Sequence, residues 1–177
     1  KGLVIHTADE AGSYLGPDYS FGWGLLNTNK AALLISDDIA TGFKINELHI
    51  HNEEPISAAF YCDGSENIAA TICWTDFPGT PPQSIIDPPD KMLVNDLDFR
   101  VVDNNSNLYF PWTLNPFSPA DAAVNTADND VDNVEKIDLY NPTAGRYVIQ
   151  ISHKGTISTQ DLSLIITGME YMEPDPS

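Results

Sequence analysis

The chain has 177 residues of which 42% are hydrophobic, enough for one ordinary domain with a real core and too many for wholesale disorder. Its 26 acidic residues against 8 basic ones give a net charge of −18, which excludes nucleic acid and anionic membrane surfaces as partners, since both need clustered Lys and Arg. No apolar run reaches the roughly 18 residues that membrane insertion as a helix requires.

The chain opens without an initiator Met or a signal peptide, directly on the apolar run Leu3-Val4-Ile5, and the expectation is that it is cut from a longer one. Residues 1–36 form a distinct compositional regime, with five of the eleven glycines at 2, 12, 16, 22 and 24. A short helical piece is expected over residues 2–8. A second helix is expected at "NTNKAALLI", with Asn27 or Thr28 as its N-cap.

From about Phe43 the pattern turns to period-two alternation punctuated by turn residues. Strands are expected over 44–51, 56–61, 68–75, 93–102, 108–112, 133–140, 145–153 and 161–168. The second and third read as a hairpin across "CDGSEN", which would place Cys62 and Cys73 on its two arms. Two cysteines make no disulfide scaffold, and whether these two meet depends on register. "DNNSN" and "NPTAG" carry turn chemistry. The inward rows are Ile72/Trp74, Leu97/Phe99/Val101, Ile137/Leu139, Tyr147/Ile149/Ile151 and Leu162/Leu164/Ile166. The fold class is therefore mainly β: two antiparallel sheets packed as a β-sandwich, preceded by a short, partly helical N-terminal segment. The division is 1–36, then a sandwich over 37–170, then a tail over 171–177.

"LVIHTADEAG…GPDYSFGWGLLNTNKAA" resembles the closing segment of the catalytic domain of subtilisin-like serine proteases, from "HTA" through a Gly-rich "GWG" turn into a last helix. "TICWTDFPG", "LVNDLDFRVVD", "DNVEKIDL" and "AGRYVIQIS" resemble the jelly-roll β-sandwich appended to that domain in many secreted subtilases. The resemblance implies a secreted, extracellular parent endopeptidase that acts on protein substrates. In it the sandwich would stabilise the catalytic domain or assist substrate positioning. The family's "D-[ST]-G", "HGT" and "GTS" motifs are absent, so its catalytic residues map onto no position here and this chain is expected to lack peptidase activity. No G-x-S-x-G elbow supplies a substitute. The resemblance also implies that Leu3, Val4, Ile5, Leu33 and Leu34 would pack on the catalytic domain. Without it, the 1–36 strip would drive self-association. A carbohydrate- or protein-binding module with no link to proteolysis is the alternative.

Candidate chemistry centres on carboxylates. "ADNDVDNVE" has the D-x-D-x-D spacing of a calcium loop, with Asp128, Asp130, Asp132 and Glu135. An EF-hand is excluded, because position six is Asn133 and position twelve is Leu139. Glu135 shares strand parity with Ile137 and Leu139 and so points inward, which is costly without a partner or cation. Few basic residues are available to pair with it. Asp76, Asp96 and Asp98 could join Asp130, Asp132 and Glu135 as calcium ligands, and the resemblance implies structural calcium in such sandwiches. The competing reading is a solvated acidic loop. His49 and His51 form an H-x-H pair on one strand face with Glu53 and Glu54 nearby. They read as surface histidines unless carboxylate or thiol partners approach. Tyr109, Phe110, Trp112 and Phe117 read either as a saccharide-stacking group or as a hydrophobic cluster under a loop.

Overall fold

The computed structural model describes residues 1–172 apart from 53, 54, 85, 87 and 89. Glu53, Glu54 and the tail 173–177 thus lie outside the described residues. Among the described residues, two helices, α1 (Gly2–His6) and α2 (Thr28–Thr41), precede nine strands. These are β1 (Ile45–His51), β2 (Ile56–Cys62), β3 (Ile68–Trp74), β4 (Leu97–Asp103), β5 (Leu108–Tyr109), β6 (Val134–Leu139), β7 (Gly145–His153), β8 (Thr159–Thr167) and β9 (Glu170–Tyr171).

The strands form two antiparallel sheets, ordered β1-β8-β3-β6 and β5-β4-β7-β2-β9. Removing the two-residue β9 leaves 1-8-3-6 facing 5-4-7-2, the strand order of a jelly roll. Alternation explains the core. In each strand one row of side chains faces the other sheet, and the rows expected from sequence all enter one cluster, joined by Ile50, Phe60, Cys62, Ile68 and Met169.

The expected β2–β3 hairpin does not exist. β2 pairs with β7 and β9, while β3 pairs with β6 and β8, so "CDGSEN" carries the chain from one sheet to the other. Alternation sets which side chains of a strand go inward but not which sheet the strand joins, so the local pattern could not decide this pairing. The cysteines separate accordingly. Cys62 belongs to the core, whereas Cys73 lies on the outer face of β3 beneath Gly2, and both are buried free thiols.

The N-terminal segment is stitched to the sandwich. Its anchor is His6, whose Nδ1 meets Thr71 Oγ1 at 2.9 Å and whose Nε2 meets Thr167 Oγ1 at 3.1 Å. A neutral imidazole has one donor and one acceptor, and hydroxyls can answer either, so both ring nitrogens are satisfied. Burial first, then the nearby Lys136 charge, lowers the His6 pKa from 6.5 to about 3. α2 starts at Asn27, whose side chain accepts from Lys30 N–H at 2.8 Å, and stops at Gly42 in the left-handed conformation, φ 76°. Asp38, in its last turn, accepts from the N–H groups of Lys44 and Ile45 and so fastens the helix to β1. The expected boundary at 36/37 falls inside this helix. The sandwich runs on past 170, because Tyr171 pairs with Phe60 in β9 and Met172 N–H donates to Ala59 O at 3.2 Å.

Candidate functional site

Carboxylates converge at one corner of the sandwich, where β6, the edge of the four-stranded sheet, approaches β4. On β4, Leu97, Phe99 and Val101 face the core, which turns Asp98 and Arg100 outward. β5 covers only Val101 and Val102, leaving the earlier part of β4 open on that side. Phe99 N–H fills the gap by donating to Glu135 Oε2 at 3.0 Å, a bond that links the two sheets.

Glu135 points inward, as its parity requires, and is 0% exposed. Among the described residues, its second oxygen, Oε1, has no hydrogen-bond partner, and neither does the buried Oδ1 of Asp96. Burial pushes the Glu135 pKa well up. The Arg100 guanidinium opposes this, while Asp98 and Asp96 add to it. Burial likewise raises Asp96, against the pull of Lys154 and with reinforcement from Asp98 and Asp130.

Among the described residues, two cations, Arg100 and Lys154, sit among these acids and pair with the aspartates, while Glu135, for which few basic partners were expected, makes no ion pair. Arg100 donates to Asp98 at 2.8 Å, to Asp128 at 2.9 Å and to its neighbour Phe99 O at 2.6 Å, with its guanidinium 4.6 Å from the Phe110 ring centre. Lys154, just beyond β7, lies 3.3 Å from Asp96 and 3.9 Å from Asp98 and makes a close ion pair with Asp128. Its backbone N–H donates to Asp96 O at 2.8 Å. The loop bearing Asp128 is held over β4 by buried Asn129, which donates to Trp112 O and Asp132 and accepts from Val131 and Asp132 N–H.

Of the six expected ligands, the structure brings Asp96, Asp98 and Glu135 together and adds Asp128, part of the D-x-D-x-D run. Asp130 is close enough to raise Asp96 but pairs with Lys91. Asp76 is a backbone staple, accepting from Phe77, Val94 and Asn95 N–H, and closes the long loop between β3 and β4. With Asp132 it lines a separate groove of about 300 Å³. Among the described residues, no three His, Cys, Asp or Glu side chains already surround one point at metal-ligating distance. Sequence reasoning missed Arg100 and Lys154. The available signal for Arg100 was its place two residues after Asp98 on the same face of a strand.

The aromatic group divides. Trp112 is 7% exposed, its Nε1–H donates to Asp138 at 2.9 Å, and Gly16 sits so close to its ring that a Cβ there would be 2.7 Å from Cδ2. It is a core contact of the N-terminal segment, so its ring is closed to saccharide stacking. Phe117 is exposed.

The other unusual surface is apolar. Among the described residues, ten large hydrophobic side chains within the first 39 positions are exposed, from Val4 to Ile39. Leu34 alone on α2 is buried. Ala32, Ile35 and Ile39 follow helical spacing along an outward face, with Ile39 82% exposed, and Leu25 and Leu26 continue the patch before the helix. The strip 1–36 is therefore split: Gly2, His6 and Leu34 face the sandwich, while Val4 and Leu33 face outward.

No protein-family model matches this chain, and no curated protein matches it either.

Proposed function

We propose that this chain is the non-catalytic β-sandwich portion of a secreted subtilisin-like serine endopeptidase, and that its outward N-terminal surface seats the catalytic domain. The observation that carries this reading is the apolar face of α2 and the segment before it, on a protein whose surface is otherwise strongly acidic. Exposed apolar patches of this kind mark interaction sites. The residues that resemble the end of a subtilase catalytic domain are the same ones that carry the patch. The sandwich takes no step in peptide hydrolysis. It buries an edge of the catalytic domain and so stabilises it.

The test extends the coding sequence upstream of Lys1. The reading expects Asp, His and Ser motifs in that order, and a frame without them overturns it. In the extended protein, Ile35→Glu with Ile39→Glu is expected to lower the melting temperature of the catalytic domain while leaving the sandwich transition in place. Unchanged catalytic-domain stability also overturns the proposal.

Calcium belongs to the same reading. What supports it at the β4–β6 corner is the donor chemistry: hard oxygens, two of them buried without a partner among the described residues, beside aspartates that now pair with an ammonium and a guanidinium. Asp96, Asp98, Asp128 and Glu135 would hold the ion, which would supply positive charge deep in the corner. Lys154 competes for that place, so Lys154→Met is expected to increase the stabilisation calcium gives. At a calcium concentration about 100-fold above Kd, that stabilisation is roughly 2.7 kcal/mol. Identical melting curves in calcium and in chelator, for both proteins, remove calcium from the proposal.

A further inference from the structure

We propose that the outward face of β1 carries a two-imidazole site for a late divalent transition ion, zinc or copper, made by His49 and His51. β1 is the edge strand opposite β6, so this site lies across the sheet from the carboxylate corner and stands independently of it.

His49 and His51 alternate with buried Ile50, which turns both imidazoles to solvent. Residues two apart on a strand are about 6.7 Å apart at Cα, a span that two imidazoles bridge around an ion held at about 2.0–2.1 Å from each nitrogen. The second observation is the carboxylate opposite. Asp161 is the register partner of His49 on β8, and its Oδ1 lies 2.5 Å from His49 Nδ1. A neutral imidazole donating Nδ1–H to a carboxylate keeps its lone pair on Nε2, directed away from the sheet. Metal-binding histidines are characteristically oriented this way. Asp161 thereby holds the ring in the ligating tautomer without being a ligand. Glu47 shares the row, but its carboxylate accepts from Ser163 Oγ at 2.9 and 3.1 Å, which holds it to β8.

The site thus offers two nitrogens, with water completing the coordination shell and open positions for exchange. Imidazole selects zinc, copper and nickel over calcium and magnesium, and copper binds most tightly of the divalent series. That preference separates this site from the many surface carboxylates of a chain with a net charge of −18.

The test is calorimetric titration of the whole chain with Zn²⁺ or Cu²⁺ in a large excess of Ca²⁺, which saturates carboxylates and leaves imidazole free. One tight site is expected at about pH 7.5. His49→Ala and His51→Ala are each expected to weaken it by more than tenfold, the double variant to lose it, and Asp161→Asn to weaken it by roughly tenfold. Both histidines are exposed, so the variants keep the fold, which circular dichroism checks. Electron paramagnetic resonance of the copper form is expected to show two nitrogen ligands in the parent and one in each single variant. A site that survives in the double variant, or the absence of any site in the parent, overturns the proposal.

Discussion

Replacing Glu135 by Gln isolates the energetics of the corner. The carboxyl is fully buried, with one oxygen accepting from Phe99 N–H and the other unpartnered. Its folded pKa stands well above the ordinary 4.5, chiefly through burial. Between those two values the folded state keeps a proton that the unfolded state has released, so stability falls as pH rises. One proton gives a slope of at most about 1.4 kcal/mol per pH unit. Gln keeps an oxygen for Phe99 N–H and carries no charge, so Glu135→Gln removes that slope. In chelator, urea unfolding at a series of pH values from about 4.5 upward is expected to show the variant gaining on the parent as pH rises, by at most about 1.4 kcal/mol per pH unit. Each kilocalorie corresponds to roughly 2–4 °C in melting temperature for a domain of this size. Under the calcium proposal the sign reverses in calcium, because the variant then gives up a charged ligand. Parallel pH–stability curves for the two proteins in chelator would refute the argument.

The N-terminal segment offers a matched acid-side experiment. With its folded pKa lowered from 6.5 to about 3, His6 gives stability that is complete above about pH 6.5 and lost as pH falls toward 3. His6→Leu is expected to flatten that acid limb in urea titrations and to cost about 1–3 kcal/mol at neutral pH, because Thr71 and Thr167 lose their partner. An unaltered acid limb would place the proton elsewhere. Gly16 has φ 81°, and a methyl group there would come within 2.7 Å of Trp112 Cδ2. Gly16→Ala is expected to destabilise by about 1–3 kcal/mol and to shift the tryptophan emission, and an unchanged melting curve would contradict the packing. With both thiols buried, a thiol-reactive dye should label neither cysteine in the native protein and two per chain in denaturant. An intact mass 2 Da low before reduction, the mark of a disulfide, would contradict their separation.

Much of the molecule was legible along the chain. Alternation located seven long strands and their inward rows, and Asn27 announced the start of α2, because these features depend on neighbours a few residues apart. Glu135 was readable as an inward carboxylate by parity alone. The H-x-H pair was readable as two side chains on one face. Pairing was another matter. The alternation of β2 and β3 says which side chains go inward but not which sheet each strand joins, so the chain's crossing at "CDGSEN" became visible only once both sheets were assembled. The same limit hid Arg100 and Lys154 as counter-charges, 35 and 19 residues from Glu135 in the chain, and Asp161 as the partner of His49. It also left open the place of Trp112, which reads either as a stacking platform or as part of a hydrophobic cluster until Gly16 closes over it. Local periodicity follows from the backbone's own geometry and can be read from a short window. Charge pairing and burial depend on distances that only the closed sandwich sets.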